Sequence, residues 1–263
     1  ELDELGSKFG DFLQNELKMA PGDRLAVMMP NILQYPIALV GAMKAGLVVV
    51  NCNPLYTVRE LEHQLKDSGA KAIVIFENSA AVLEKALPHT SVKHIITTQV
   101  GDMLKFPKNH IVNFVLKHVK KMVPAWSISQ AISFTDALSK GVAQRVKTPA
   151  LSHKDLAFLQ YTGGTTGVSK GAELTHGNIV ANMLQAREWI KNSVKPGQEI
   201  IITPLPLYHI FSLTANFLTF ASIGGLNVLI TNPRDVPGFI KELKKWKFTA
   251  LTGVNSLFNL LLN

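Results

Sequence analysis

The chemistry of this sequence is concentrated in one eleven-residue segment, YTGGTTGVSKG, which contains four glycines, three threonines and one lysine. Glycine lets backbone N–H groups turn towards an anion and approach it closely. Threonine hydroxyls donate to phosphate oxygens or ligate Mg²⁺, and a lysine adds positive charge. The segment therefore predicts a site for a nucleoside triphosphate. Its members are Tyr161, Thr162, Gly163, Gly164, Thr165, Thr166, Gly167, Val168, Ser169, Lys170 and Gly171.

The residues of this segment also allow two other interpretations. A Walker-type loop requires the pattern G-x-x-x-x-G-K-[ST]. Here two residues separate Gly167 from Lys170, and Gly171 follows the lysine, so the spacing argues against that loop. A purely structural turn is the second alternative, because glycine and threonine clusters are common in loops.

Strands and helices alternate on both sides of this segment. The first four predicted strands are LAVMM, LVVVN, KAIVIF and HIITT. A helix is expected from Pro30 and Asn31 to about Gly46, and a capping box of Thr57 and Glu60 predicts another that runs to about Ser68. The later strands are DLAFLQYT, EIIITPLPL, NVLI and TALTG, with a helix from about residue 178 after the first of them. This order predicts an α/β fold with mainly parallel sheets and right-handed crossovers.

Residues from about 99 to 150 interrupt the alternation. Lysines surround apolar residues there at helical spacing, and the set comprises Lys105, Lys108, Ile111, Val112, Val115, Leu116, Lys117, Val119, Lys120, Lys121, Val123 and then Trp126. A basic amphipathic helix predicts peripheral contact with an anionic membrane through segment 105–126. The alternative is an ordinary helix whose lysines face solvent and whose apolar side packs on the protein core.

Composition narrows the class of protein. Of 263 residues, 47% are hydrophobic and 17% are charged, which favours a folded globular protein over a disordered one. The net charge of +8 favours anionic partners, but the lysines are dispersed and match no nucleic-acid motif, so nucleic acid is not expected. The sequence has no apolar run long enough to span a membrane. Its single cysteine, Cys52, allows no internal disulfide and fits a cytoplasmic location.

The two ends of the chain predict a fragment of a longer protein. The chain opens without a methionine, inside an amphipathic helical pattern. It closes within the apolar helical segment SLFNLLLN.

The glycine-rich segment resembles the signature loop of the adenylate-forming superfamily, which includes acyl-CoA synthetases, luciferases and the adenylation domains of peptide synthetases. Gly163 and Ser169 depart from the serine and proline that many members have there, so a more flexible loop is expected. The segments THGN, LPLYHIFSL and TGVNSLFNLLL are similar to further family segments in order and spacing. Together with NPLYTVRELEHQLKDSGAKAIVIFEN and ITNPRDVPGF, they make nearly the whole chain similar to bacterial long-chain fatty acid–CoA ligases.

The resemblance implies roles for individual residues. The loop backbone, with Thr165, Thr166 and Lys170, would hold the β- and γ-phosphates of ATP, and Thr162 would ligate Mg²⁺. His209, the second residue with an implied catalytic role, would lie beside the acyl carboxylate and the adenylate. The resemblance places the gate of the acyl tunnel at Leu213. The segment expected to line the acyl pocket comprises Thr252, Gly253, Val254 and Asn255.

The resemblance also implies the reaction. A fatty carboxylate would attack Mg–ATP to give acyl-adenylate and pyrophosphate, and CoA would then displace AMP. Residues 1–263 would form part of the large amino-terminal domain, with the basic segment of about 99–150 as an insertion. The family's Tyr-Gly-x-Thr-Glu stretch, ribose-binding aspartate and carboxy-terminal lid domain with its lysine are absent from this sequence, so little activity is expected from it alone.

Three matters stay open on the sequence. An aryl or medium-chain acyl-CoA ligase would carry the same loop, and a non-catalytic lipid or nucleotide sensor would keep the same fold. The expected location is the cytoplasm, with or without peripheral attachment to the inner face of the cell membrane. A homodimer is compatible with the sequence, which does not decide the oligomeric state.

Overall fold

Runs of β-branched and aliphatic residues form the strands of the computed structural model, which describes residues 1–163 and 168–262. The chain divides into two units, each treated separately below. The first unit comprises Glu1–Met29 and Leu33–His176, and the second comprises Pro30–Ile32 and Gly177–Asn263.

The regular elements are numbered here in chain order. The strands are β1 Arg24–Met28, β2 Val48–Cys52, β3 Ala72–Phe76, β4 His94–Thr98, β5 Ile132–Ser133, β6 Leu156–Thr162, β7 Lys170–Thr175, β8 Ile200–Thr203, β9 Leu226–Leu229 and β10 Ala250–Leu251. The helices are α1 Leu2–Asp11, α2 Gln34–Lys44, α3 Val58–Ser68, α4 Ala80–Ala86, α5 Lys108–Phe114, α6 Phe134–Lys140, α7 His176–Ile190, α8 Ile210–Ser212, α9 Thr219–Ser222, α10 Val236–Lys245 and α11 Asn255–Leu262.

The sheet of the first unit has seven strands in the order β5-β4-β3-β1-β2-β6-β7. All neighbours are parallel except β7, which runs antiparallel to β6. The central strands β1, β2 and β3 are buried almost throughout, as expected for a sheet covered by helices on both faces. The predicted α/β fold with mainly parallel sheets is confirmed.

Strand β7 corrects the expectation that a loop leads directly to the next helix. Its residues pair with β6 from Thr162 opposite Lys170 to Leu156 opposite Thr175, and α7 begins at His176. Most of β7 is exposed or half-buried at the edge of the sheet, so it lacks the apolar alternation that marks a strand in sequence. Main-chain hydrogen bonds to β6, and not an apolar pattern, stabilise this strand.

Helix α3 begins where the capping box predicted. The Glu60 N–H donates to the Thr57 hydroxyl, and the Glu60 carboxylate accepts from the Thr57 N–H at 2.8 Å. The helix ends at Ser68, and Gly69 follows it in the left-handed conformation with φ of 59°. Glycine adopts this conformation at little cost, so the predicted boundaries of α3 are confirmed at both ends.

A chain of buried amides fixes β6 against the neighbouring strand. The Tyr35 hydroxyl donates to Asn51 Oδ1 at 2.8 Å, and Asn51 Nδ2 donates to Gln160 Oε1 at 3.1 Å. Gln64 Nε2 on α3 donates to the Asn51 carbonyl at 2.8 Å. Burial raises the pKa of the Tyr35 hydroxyl well above its usual value, so this group stays a neutral donor. The network links α2, β2, β6 and α3, and it reaches the residue that precedes Tyr161.

The basic segment 105–126 forms α5 and a following turn of π-helix, Val115–Val119, and neither contains a buried residue. Its polar face contacts the protein. Asn113 Nδ2 donates to Asp102 Oδ1 at 2.9 Å, and its Oδ1 accepts from the Gly101 N–H at 2.8 Å. Lys117 Nζ lies 2.6 Å from the buried carboxylate of Glu77. Lys117 is thus anchored to the protein while 44% of its side chain stays exposed.

The apolar residues of the same segment divide into two sets. Phe106, Ile111, Phe114, Val119 and Met122 are each more than half exposed. Val112, Val115, Leu116 and Val123 are half-buried, and Trp126 packs against the core of the first unit. The alternative in which the apolar side packs on the protein's own core therefore holds for part of the segment. Within the described part of the chain, no helix combines the length and the apolar character needed to cross a membrane.

Asp11 ties the start of the chain to the end of the insertion. Its carboxylate is fully buried and accepts from the Val142 N–H at 2.8 Å and from Arg145 Nη2 at 2.8 Å. Burial by itself would raise the pKa of this carboxyl group. The hydrogen bonds from Val142, Arg145 and Asn15 outweigh that effect and hold the pKa below its ordinary value.

We expect Asp11→Asn to lower the free energy of unfolding at neutral pH by about 1 to 2 kcal/mol, because it removes a charged acceptor. A carboxyl whose folded pKa is depressed stabilises the protein above its unfolded pKa of about 4 and loses that effect as pH falls through the folded value. Denaturant unfolding from pH 7 to pH 3 should therefore show a shallower loss of stability in the variant. Asp3→Asn, which changes an exposed carboxylate paired with Lys44, is the control. Parallel pH curves for Asp11→Asn and the wild type would contradict this prediction.

The second unit contains a three-stranded parallel sheet in the order β10-β8-β9. Its strands β8 and β10 are shorter than the predicted EIIITPLPL and TALTG. Strand β8 ends at Thr203 because Pro204 and Pro206 have no N–H groups to donate to a neighbouring strand. Beyond it, α8, a π-helical stretch Leu213–Leu218 and α9 form one continuous helical run.

Candidate functional site

The β6–β7 hairpin presents the two flanks of the glycine-rich segment. Thr162 at the end of β6 lies opposite Lys170 at the start of β7, and Tyr161 lies opposite Gly171. The predicted phosphate-binding residues Gly164, Thr165, Thr166 and Gly167 lie outside the described residues. The structure thus places the hydroxyl-bearing and lysine-bearing ends of the segment next to each other.

The described flanking residues leave this hairpin end open to solvent. Thr162, Gly163 and Lys170 are exposed, and a Cβ added at Gly163 would meet no atom within 4 Å. Val168 is 58% exposed, and Ser169 is half-buried. Lys170 forms no ion pair with a carboxylate of the described residues. Its ammonium group is therefore available to an external anion.

Tyr161 is buried and helps to fix the hairpin, and it does not belong to the exposed surface of the hairpin. Its ring is buried, and its hydroxyl donates to Asp67 Oδ2 on α3 at 2.5 Å. Burial raises the pKa of this phenol, and the neighbouring Asp67 carboxylate raises it further. A Cβ at Gly171 would lie 2.9 Å from two ring carbons of Tyr161, so glycine at that position admits the ring.

A metal ion at this site would depend on oxygen ligands from the hairpin. Among the described residues, no group of three or more His, Cys, Asp or Glu side chains could hold a metal. The exposed Thr162 hydroxyl fits one ligand of Mg²⁺, a cation that usually keeps several waters and takes oxygens from substrate phosphates. The role of Thr162 remains a prediction.

His209 marks the second predicted region and lies in the second unit. It is exposed and caps α8, where its Nδ1 accepts from the Phe211 N–H at 3.3 Å. A neutral imidazole that accepts at Nδ1 carries its proton at Nε2. The Nε2–H group is therefore a donor suited to a carboxylate oxygen.

The segment before His209 is held by a residue that sequence reasoning missed. Asn31 is buried, and its Nδ2 donates to the carbonyls of Thr203 at 3.0 Å and Leu205 at 2.9 Å. Its Oδ1 accepts from the Leu207 N–H at 2.8 Å. These bonds explain why α2 begins at Gln34 and not at Asn31 as predicted. The asparagine directly after a buried strand and a proline was the available signal.

The predicted gate residue lies on the helical run that follows His209. Leu213 is fully buried, and its N–H donates to the His209 carbonyl at 3.0 Å. It opens the π-helical stretch Leu213–Leu218, a rare conformation that often occurs at functional sites. Any gating role for Leu213 would require its side chain to leave this core position, so that role stays a prediction.

Asn216, on the same stretch, connects Leu213 with the predicted pocket segment. The Thr252 hydroxyl donates to Asn216 Oδ1 at 2.8 Å. Asn216 is fully buried, and its Nδ2 finds no hydrogen-bond partner among the residues that the structure describes. Sequence reasoning missed it, because nothing in LTANFL distinguishes an inward asparagine from an exposed one.

The remaining residues of the predicted pocket segment differ in exposure. Gly253 is half-buried, and a Cβ there would lie 2.9 Å from the ring of Phe258. Val254 is 53% exposed, and Asn255 is exposed at the start of α11. The structure thus brings Thr252 to the helical run of His209 and Leu213 within the second unit, while the hairpin with Lys170 belongs to the first.

Comparisons with known proteins show the family of this chain. A family model described as AMP-binding enzyme matches residues 1–263. The long-chain-fatty-acid–CoA ligase of Escherichia coli O6:H1 is 56% identical over 263 residues, which are 100% of this chain and 47% of that protein. The ligase of the same name from Salmonella typhimurium is 55% identical over the same shares. This chain therefore spans about half the length of these curated relatives.

A solved structure supports the fold. The crystal structure of an anthranilate CoA ligase in complex with anthranoyl-AMP superimposes with a TM-score of 0.81 at 17% identity. The match covers 98% of this chain and 45% of that one.

Proposed function

The chain belongs to the AMP-binding enzyme family, and from this premise we propose that the complete protein converts a long-chain fatty acid, ATP and CoA into acyl-CoA, AMP and pyrophosphate. The observation that carries the proposal is the identity of 55–56%, along the whole chain, to proteins named long-chain-fatty-acid–CoA ligase. Lys170 supports it, because it is exposed opposite Thr162, forms no ion pair with a carboxylate of the described residues, and carries a charge that can neutralise phosphate oxygens.

In the first step, an oxygen of the fatty carboxylate bonds to the α-phosphorus of ATP, and the bond to the bridging oxygen of pyrophosphate breaks. Two anions must meet, so placement and charge compensation dominate the barrier. We assign Lys170, Thr165 and Thr166 to the β- and γ-phosphates. Thr162 would hold Mg²⁺, which supplies further charge compensation to the phosphates when bound. The Nε2–H group of His209 would donate to the carboxylate.

In the second step, the sulfur of CoA bonds to the acyl carbon and AMP leaves with the electrons of the broken C–O bond. The thiol proton goes to solvent or a base outside the described residues. The fatty chain would lie along the second unit, against Leu213 and the segment Thr252, Gly253, Val254 and Asn255. Residues 1–263 would then form part of a larger amino-terminal domain, and full activity would require the rest of the relatives' length.

The test is pyrophosphate release from Mg–ATP by the complete protein before CoA is added, with and without a long-chain fatty acid. Release that depends on the fatty acid is the expected result. Release only with an aryl, amino or medium-chain acid would overturn the long-chain assignment and keep carboxylate activation. Binding of ATP without release for any carboxylate in a broad panel would favour the non-catalytic sensor.

We further propose that the basic segment 105–126 attaches the protein to an anionic lipid surface. Five of its apolar side chains, Phe106, Ile111, Phe114, Val119 and Met122, are exposed among lysines, and such a surface suits an anionic bilayer. No acidic residue occurs between Asp102 and Asp136. The exposed lysines Lys108, Lys120 and Lys121 thus have no acidic residue within five positions in sequence, whereas Lys105 follows Asp102 by three positions. This surface would bring the enzyme to the bilayer in which fatty acids dissolve.

The remaining partner prediction concerns self-association. A homodimer is compatible with the proposed function and would be tested by sedimentation velocity of the complete protein over a range of concentrations.

A further inference from the structure

Helix α3 contacts both flanks of the glycine-rich segment. The Asp67 carboxylate accepts from the Tyr161 hydroxyl at 2.5 Å, just before the segment's glycines. His63 Nε2 lies 2.9 Å from the carbonyl oxygen of Ser169, just after them. His63 and Asp67 are four residues apart, so they share one face of the helix. One rigid element thus holds the chain at the end of β6 and immediately before the start of β7.

The Tyr161 contact is closely packed on two sides. The ring of Tyr161 lies so near Gly171 that a Cβ there would approach two of its carbons to 2.9 Å. Its hydroxyl bonds to the carboxylate of Asp67, and a bond to a charged acceptor is stronger than one between neutral groups. The ring is therefore fixed against β7 from one side and against α3 from the other.

The His63 contact reinforces the first. A carbonyl oxygen only accepts, so His63 must carry a proton on Nε2 and donate it to Ser169. The rings of His63 and Tyr161 meet edge to face, with centroids 6.5 Å apart and planes at 87°. The two contacts therefore form one connected cluster beside Lys170, the residue that follows Ser169.

We propose that His63 and Asp67 are positioning residues that fix the β6–β7 hairpin end and so place Lys170 and Thr162 for the phosphates of ATP. The inference rests on the proposed function for the identity of the ligand. Neither residue touches the ligand in this account. Each acts through a hydrogen bond to a neighbour of the residue it places, so loss of either bond should affect the step in which phosphate charge moves.

The first variants are Asp67→Asn and Tyr161→Phe in the complete protein. Each should lower kcat/KM for Mg–ATP in pyrophosphate release by about tenfold, the effect of one charge-assisted hydrogen bond. The KM for the fatty acid should not change. The double variant should be no worse than Tyr161→Phe alone, because Tyr161→Phe removes the bond that Asp67→Asn weakens by taking away the acceptor's charge. Additive losses, or equal losses for both substrates, would overturn the role of Asp67.

His63 is tested by conservative rescue. His63→Gln keeps an N–H donor close to the position of Nε2, and His63→Leu removes it. The leucine variant should lose kcat/KM for Mg–ATP by about tenfold, and the glutamine variant should recover most of that loss. Lys66→Gln is the matched control, since Lys66 lies on the same helix and pairs only weakly with Glu62 at 3.6 Å. Equal loss in the leucine and glutamine variants would contradict the role of the donor.

Amide hydrogen exchange separates this inference from the proposed function. Exchange of the β7 amides, Lys170 to Thr175, should be faster in Asp67→Asn and His63→Leu than in the wild type and in Lys66→Gln. This measurement needs no substrate. Wild-type protein that releases no pyrophosphate would contradict the proposed function alone, whereas unchanged β7 exchange in both variants would overturn the inference alone.

Discussion

Lys170→Ala in the complete protein is expected to slow fatty-acid-dependent pyrophosphate release by about a hundredfold, as loss of a group that stabilises transition-state charge commonly does. Lys170 begins β7, is exposed, and has no ion pair with a described carboxylate. Its charge is therefore not used in holding the fold. Its position opposite Thr162 on a paired strand limits the backbone freedom of its Cα.

The loss should appear mainly in kcat if Lys170 interacts more strongly with the phosphates in the transition state than in bound ATP. Lys170→Arg keeps the charge and should retain more activity than the alanine variant. Lys154→Ala is the matched control, because Lys154 is an exposed lysine just before the same strand β6. If Lys170→Ala releases pyrophosphate in a single turnover at the wild-type rate, the assignment of Lys170 to the phosphate site is wrong.

The parallel sheet could be predicted from the sequence because strands buried on both faces appear as continuous apolar runs. Predicted HIITT coincides with β4, and the predicted start of LVVVN differs from that of β2 by one residue. The capping box of Thr57 and Glu60 predicted the start of α3, and the expected end at about Ser68 agrees with the structure. Local chemistry and burial agree in this region, so the pattern of residue types is sufficient.

Three features depended on partners far away in the chain. Strand β7 is an edge strand whose hydrogen bonds to β6 outweigh its weak pattern. The orientation of α5 depends on Glu77 and Asp102 at the sheet edge, because periodicity identifies two faces without saying which one is buried. Asn31 spans more than 170 residues to reach Thr203, and no local rule predicts such a bond.

The residues of the candidate site likewise fall into those that the sequence predicted and those that it did not. The glycine framework and Lys170 were recognisable because a short contiguous motif specifies them. The residues that support the motif, His63 and Asp67, precede it by about a hundred positions, as the contacts to Ser169 and Tyr161 show. A motif in the sequence therefore does not identify such positioning residues, because they are defined by packing in the folded protein and not by their spacing along the chain.

The membrane proposal makes the second prediction of large effect. Four outward lysines flank the exposed apolar side chains of segment 105–126, and they are Lys105, Lys108, Lys120 and Lys121. Lys117 is excluded from this set because it pairs with buried Glu77. Each lysine near an anionic bilayer contributes about 1 kcal/mol, so four correspond to a hundredfold or more in partitioning. Apolar side chains such as Phe114 would add binding that salt does not screen.

Replacement of these four lysines by glutamine should therefore reduce binding of the complete protein to phosphatidylglycerol vesicles by about a hundredfold or more in co-sedimentation. Phe114→Ser should weaken binding at high salt as well as at low salt. The control replaces four exposed lysines around α10, namely Lys241, Lys244, Lys245 and Lys247, and changes the net charge equally. Equal losses in the two quadruple variants would mean that total charge, and not this surface, governs attachment. If the wild-type protein does not co-sediment with anionic vesicles, the membrane proposal is wrong.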